Sequence, residues 1–361
     1  MTLNKPFLAQ MRAATRSLMR RGPSVARSMM RESIKTAAIV QQHASNQASY
    51  DPSDMLADLS RIGQAEGNPF NAPPLSSGAA AIGLPGHFID ASYTNEAGTR
   101  DYKLYVPGSY TGQLAPLLVM LHGCKQNPDD FALGTGMNAV AEEYGCLVAY
   151  PAQTTQANAS RCWNWFSAIE QRRDQGEPSI IAGITRDVMR RYVVDPDQVT
   201  VAGLSAGGAM AAMMGTLYPE LYAAVGVHSG LPFAAAHDLA SAMTAMKGEL
   251  KRRPKPGQAV PMIVFHGDRD TTVHPINGDA LMQQRRRHPA EAVAVEPGRV
   301  PRGYTYTRTV HRRPDGSIDA EHWLVHGAGH AWSGGDPLGS YTDGKGPSAS
   351  REMMRFFRTR Q

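Results

Sequence analysis

The sequence predicts an α/β fold: a mostly parallel central sheet with helices on both faces, preceded by an N-terminal helical extension. Three observations carry this. Short apolar runs recur, such as "LLVMLH" (117–122), "CLVAYP" (146–151) and "MIVFHG" (262–267), each of the length and uniform hydrophobicity of a strand buried on both faces. Helical stretches alternate with them, as a parallel sheet needs a crossover between successive strands. A glycine-rich turn, "GLSAGG" (203–208), joins one such strand to one such helix.

Taken in order, residues 1–65 read as a basic amphipathic extension. Leu8, Met11 and Leu18 fall near one stripe, while Arg12, Arg16 and Arg20 recur every four residues on another. Residues 66–86, "EGNPFNAPPLSSGAAAIGLPG", are rich in Pro, Gly, Ser and Ala and read as a linker, so the compact domain spans 87–361. Within it "YKLYV" (102–106), "LLVMLH" and "CLVAYP" are strands, with a helical stretch in 131–145 between the last two. "SIIAGITRDVMRRY" (179–192) is a helix, "VTVAG" (199–203) a strand, 205–218 a helix, and "AVGVHSG" (224–230) and "MIVFHG" are strands. "YTYTRTV" (304–310) and "HWLVHG" (322–327) are late strands, and 348–359 closes the domain as a helix.

Composition excludes several classes. The chain is 42% hydrophobic and 19% charged, the balance of a globular protein, and it holds no apolar run of the roughly 18 residues that a spanning helix needs. The net charge of +5 resides in the tail: seven Lys or Arg precede the first acid, Glu32, leaving about −2 for the rest. The body has no overall electrostatic claim on phosphate, so nucleic acid is not an expected partner. The basic arm suits contact with an anionic surface or granule, or self-association. No apolar segment of a secretory signal follows the basic start, which favours a cytoplasmic place; secretion is the alternative. Three cysteines are too few for a disulfide scaffold. No ligand cluster or dinucleotide fingerprint points to a metal or cofactor.

Ser205 lies at the centre of "GLSAGG", between a strand and a helix, where a nucleophile held out on a tight elbow would sit. Side chains at Gly203 or Gly207 would collide with neighbouring elements there. The helix that follows aims its N-terminus at the serine and favours developing negative charge. A hydroxyl nucleophile needs a base, and the base an orienting acid. "VFHGDRDTTVHP" (264–275) follows a strand and offers Asp268 and Asp270; "VHGAGHAWSGG" (325–335) follows another and offers His326 and His330. Asp270 is favoured because the Thr-Thr-Val run after it would start a loop over the site, with Asp268 as fallback. His330 is favoured because Gly327 and Gly329 flank it in a flexible, exposed loop, whereas His326 still belongs to its strand and should be packed. An oxyanion hole would take the backbone N–H of Ala206 and, from the loop "LHGCKQ" (121–126), that of Cys124.

With these pieces in order, the blocks "LHGCKQNPDDFALGTGMNAVAEEYG", "CWNWF", "GLSAGGAMAAMM", "YAAVGVHSGLP", "VFHGDRDTTVHPINGD" and "GHAWSGG" resemble the polyhydroxybutyrate depolymerase family of esterases, α/β-hydrolases related to feruloyl and acetylxylan esterases. The resemblance spans roughly 87–358. It implies the α/β-hydrolase fold, serine-esterase activity, Ser205 as nucleophile, Asp270 as acid, His330 as base, and Cys124 and Ala206 at the oxyanion. Hydroxybutyrate-type polyesters or oligomers are the implied substrates; plant-wall feruloyl or acetyl esters are the alternative, and a catalytically idle granule-binding protein is a reading of another class. Secreted polymer-degrading relatives carry a further polymer-binding module after the catalytic domain, which is not seen after residue 358. In "RCWNWF" (161–166), Trp163 and Trp165 are expected to form a substrate wall, with Trp332 reaching the ester from beside His330. Cys162 is within this segment, and a bond to Cys124 would tie it to the oxyanion loop. The sequence leaves that bond open, since it requires an oxidising compartment.

Overall fold

The computed structural model describes residues 83–249, 260–285 and 292–359. The expected helical extension and nearly all of the expected linker lie outside these residues. Twelve strands and seven helices follow within the described residues: β1 (His87–Asn95), β2 (Gly98–Val106), β3 (Ala115–Leu121), α1 (Pro128–Thr135), α2 (Met137–Tyr144), β4 (Leu147–Pro151), α3 (Gly176–Arg191), β5 (Val194–Leu204), α4 (Ala206–Leu217), β6 (Ala224–His228), α5 (Leu239–Met246), β7 (Met262–Gly267), α6 (Ile276–Arg285), β8 (Ala292–Arg299), β9 (Thr305–Arg312), β10 (Ile318–His326), β11 (Trp332–Ser333), β12 (Thr342–Asp343) and α7 (Ala349–Arg358).

Ten strands form one sheet in the order β1-β2-β4-β3-β5-β6-β7-β10-β9-β8. The six from β4 to β10 run parallel, and antiparallel pairs close both edges. The apolar runs sit in the parallel centre because both their faces are covered. Along β3, Leu117, Val119 and Leu121 point into one apolar layer with α3 and α4, while Leu118 and Met120 point into the other with α1, α2 and α7. Each such side chain, fully buried, contributes about 1.5–3 kcal/mol. Polar caps fix where helices start: Asn127 accepts from the Asp130 N–H at α1, and Ser348 from the Arg351 N–H at α7.

Four strands are missing from the sequence reading: β1 and β8, edge strands whose faces are largely exposed, and the two-residue β11 and β12. Parallel strands β3, β5, β6, β7 and β10 all deliver their C-terminal ends to one edge of the sheet, where open α/β sheets gather their reactive groups. No helix among the described residues is long and apolar enough to cross a membrane.

Candidate active site

Ser205 occupies the single residue between β5 and α4, with φ 57° and ψ −119°. For a non-glycine residue this conformation costs on the order of 1–3 kcal/mol and persists only where the surroundings dictate it. They do so here through the glycines on either side. A Cβ on Gly203 would overlap the Gly207 carbonyl, and one on Gly207 would overlap the carbonyl oxygens of Leu121 and His122. The start of α4 therefore lies directly on the end of β3. The Ser205 N–H donates to the His228 carbonyl at 2.9 Å, which anchors the elbow to β6.

The two candidate acids and two candidate histidines sort into separate pairs. His330 Nδ1 donates to Asp270 Oδ2 at 2.7 Å. The other Asp270 oxygen accepts from the Thr272 and Val273 N–H groups at 2.9 and 2.8 Å, so the Thr-Thr-Val run wraps the carboxylate. Asp270 is 4% exposed. Burial alone would raise its pKa, but the His330 charge and hydrogen bonds from His266 and His330 overcome this and hold it well below the usual carboxylate range. With its Nδ1 proton engaged, His330 has Nε2 left as a base. Two backbone bonds knit the loops carrying this pair: the Asp268 N–H to the Val325 carbonyl and the Arg269 N–H to the Ala328 carbonyl, both at 3.0 Å.

Asp268 turns to His326 instead, accepting from its Nδ1 at 3.0 Å and from the Gly327 N–H at 2.7 Å. His326 Nε2 bonds the Thr307 hydroxyl at 2.8 Å. The expectation that His326 is packed is corrected: as the last residue of β10 beside the sheet's short antiparallel edge, its side chain stays 36% exposed.

The loop after β3 is held rigid except at one donor. The Gly123 N–H donates to Gln126 Oε1, the Lys125 N–H to the Ser160 carbonyl and the Gln126 N–H to the Gly123 carbonyl. Among the described residues, the Cys124 N–H has no partner. Ala206 is the first residue of α4, whose leading N–H groups have no acceptor within the helix. Cys124 is bonded to Cys162 in a disulfide, which joins this loop to the segment after β4. His122, buried beneath the loop, accepts from the Gln153 N–H at Nε2 (3.0 Å) and donates from Nδ1 to the Gly123 carbonyl (2.7 Å). Burial pushes its pKa down to about 4.

The three tryptophans are not where the sequence reading put them. Trp163 and Trp332 are 0% exposed and Trp165 is 6% exposed, so the expected substrate wall is corrected to core. Trp332 stacks on His228 with centroids 5.1 Å apart, and its Nε1–H donates to the Ser350 hydroxyl at 3.0 Å. Trp163 packs on His122. Their large apolar area is worth more in the core than against solvent. Between the two indoles of the 161–166 segment, Asn164 is tied to the buried Glu177 carboxylate by its backbone N–H (2.8 Å) and its side-chain amide (2.7 Å).

Sequence reasoning missed the working part of three histidines. The sequence pattern singles out none of His122, His228 and His266. His228 supports the elbow and accepts from the Ser333 N–H at 2.9 Å; burial pushes its pKa down to about 3. The available signal is position, since each of the three stands within one residue of the end of a parallel strand.

The sheet order, with antiparallel edges around a parallel centre and a strained serine between a central strand and its crossover helix, defines an α/β-hydrolase. The sequence model of the family described as "Esterase PHB depolymerase" matches residues 100–295, more than half of the chain, and the chain belongs to that family. Poly(3-hydroxyalkanoate) depolymerase C of Paucimonas lemoignei is 28% identical over 250 residues, 66% of this chain and 59% of that protein. Feruloyl esterase B of Neurospora crassa is 28% identical over 191 residues, 47% of this chain and 64% of that protein. This chain thus spans less than two thirds of either relative. The acetyl xylan esterase from Aspergillus awamori superposes with a TM-score of 0.59 at 20% identity, covering 76% of this chain and 100% of that one; this likeness shows the fold.

Proposed function

We propose that this protein is a serine esterase that hydrolyses carboxylic esters, of the hydroxyalkanoate polyester or oligomer type, through an acyl-enzyme. The observation that carries the reading is the buried Asp270–His330 hydrogen bond, formed between loops at the same sheet edge as the strained Ser205. Ser205 Oγ attacks the ester carbonyl carbon while His330 Nε2 takes its proton. The tetrahedral oxyanion receives the N–H groups of Cys124 and Ala206. Collapse breaks the C–O bond, and the departing alkoxide takes the proton back from His330. Water then repeats the sequence and frees the acid and Ser205. Asp270 fixes the His330 tautomer and stabilises its cation. None of these steps calls for a metal or cofactor.

The polyester substrate rests on the likeness to the Paucimonas lemoignei depolymerase. A second reading, a feruloyl ester of plant cell wall, is favoured by the equal identity to feruloyl esterase B. A catalytically idle surface-binding protein would have no use for a strained serine or for a carboxylate held anionic in the core. The Cys124–Cys162 disulfide supports a place in an oxidising compartment rather than the cytoplasm. Turnover of nitrophenyl esters, hydroxybutyrate oligomers and methyl ferulate by the wild type tests the reading. Oligomer cleavage faster than ferulate cleavage is expected; the reverse ranking selects the second reading, and no turnover on any ester defeats both.

A further inference from the structure

His266 stands one residue before the end of β7 and four residues before Asp270, and it is fully buried. Its Nε2 lies 2.8 Å from the Val273 carbonyl oxygen and 3.4 Å from Asp270 Oδ2. Both are acceptors, so Nε2 carries the ring proton. Nδ1 has no hydrogen-bond partner among the described residues. It is roofed by α6 at Gly278, where a Cβ would come 3.3 Å from His266 Nδ1 and 2.8 Å from His322 Nε2. With no partner at Nδ1, the ring presents one fixed donor, Nε2–H, whose main acceptor is the Val273 carbonyl and whose second, longer acceptor is Asp270 Oδ2.

We infer that His266 is a positioning residue for the ester-hydrolysing site, supplying a second donor to the same Asp270 oxygen that orients His330. The inference rests on the reading of Asp270 and His330 given above. The physical argument is a division of charge. Asp270 Oδ1 is saturated by two backbone N–H groups, whereas Oδ2 accepts from His330 at 2.7 Å and lies 3.4 Å from the His266 Nε2–H, which also bonds the Val273 carbonyl of the same loop. A donor on Oδ2 disperses its negative charge and also fixes the carboxylate plane. Without it, more charge faces His330, its imidazolium is stabilised, and its pKa rises. The carboxylate also gains freedom to rotate away from Nδ1. The other ionisable groups around His266 are His322 on β10, Asp279 on α6 and His228 on β6. His322 and His228 are held neutral by burial, which lowers both pKa values, so neither replaces the donor.

The experiment compares His266→Phe and His266→Gln with the wild type on a soluble nitrophenyl ester, measuring kcat, KM and the pH dependence of kcat/KM. Phe fills the site without a donor, and Gln keeps an N–H in it. In His266→Phe, kcat should fall roughly tenfold with KM nearly unchanged, and the acid limb of kcat/KM should move up by about 0.5–1 pH unit. His266→Gln should recover most of kcat and return the limb towards the wild-type position. The low-field proton resonance of His330 Nδ1–H should shift in the Phe variant and less in the Gln variant. If His266→Phe does not fold, His266→Leu, apolar and smaller, takes its place with the same expectations. A merely structural His266 would lower the melting temperature and leave both the limb and the resonance where they are; that result overturns the inference. Failure of the catalytic reading looks different: the wild type would hydrolyse no ester, or Asp270→Asn would keep full activity.

Discussion

His330 Nδ1 and Asp270 Oδ2 are 2.7 Å apart although sixty residues of sequence separate them. The contact is made by two loops, after β7 and β10, whose strands are parallel neighbours in the sheet. Asp268 and His326, nearer their strands and 58 residues apart in sequence, form a second pair with half-exposed side chains.

Ser205→Ala should fold and should lower ester turnover by about 10³-fold or more, as loss of a triad nucleophile does elsewhere. Turnover with a chromogenic ester, alongside a circular dichroism melt, measures this. Near-wild-type activity would end the acyl-enzyme reading.

Asp270→Asn should cost at least about 10²-fold more in kcat than Asp268→Asn, because only the acid bound to His330 sets its tautomer. Steady-state kinetics of the two variants decide between them. The reverse ranking would transfer the acid role to Asp268.

Gly207→Ala adds a Cβ onto the Leu121 and His122 carbonyl oxygens. Backbone cannot retreat as a long side chain can, so the start of α4 should shift away from β3 and carry Ser205 and Ala206 with it. A kcat loss of about 10²-fold or more, with a melting temperature several degrees lower, is expected. Wild-type kinetics in this variant would show that the elbow tolerates displacement.

Replacing Cys124 and Cys162 by Ser should destabilise the fold by about 3–4 kcal/mol on chain-entropy grounds, given their separation of 38 residues. It should also lower kcat more than it raises KM, because the freed loop carries the Cys124 N–H. Denaturant unfolding and kinetics with and without reductant test both parts. Indifference of kcat to reduction would remove Cys124 from the oxyanion site.

Buried histidines set the acid sensitivity of stability. His122 and His228 are held neutral by burial, with pKa values pushed down to about 4 and about 3, against about 6.5 in the unfolded chain. Between those limits the unfolded chain binds protons that the folded protein does not. Stability is therefore full above about pH 6.5 and declines as the pH falls, by about 1.4 kcal/mol per pH unit for each histidine, until the folded values are reached. Urea unfolding between pH 7 and pH 4.5 should show this decline, and His228→Gln should make it shallower by about one proton. An unchanged slope would mean that His228 takes up a proton in the folded state.

The sequence by itself determined the alternation of strand and helix, the elbow at Ser205 and the parallel centre of the sheet. These are properties of local apolar runs and of glycines in a short turn, where neighbours in sequence dictate the outcome. It also brought the candidate acids and histidines down to two of each. Which partner each took was decided by tertiary structure, through the register of β7 against β10 and the bonds between their following loops. The same holds for the tryptophans. Aromatic residues near a reactive group can face a substrate or the core, and only packing against His122, His228 and Phe131 put Trp163 and Trp332 inside. His266 was illegible for a similar reason. A histidine in an apolar strand looks like any other until the fold brings the Val273 carbonyl to 2.8 Å and Asp270 Oδ2 to 3.4 Å from its Nε2.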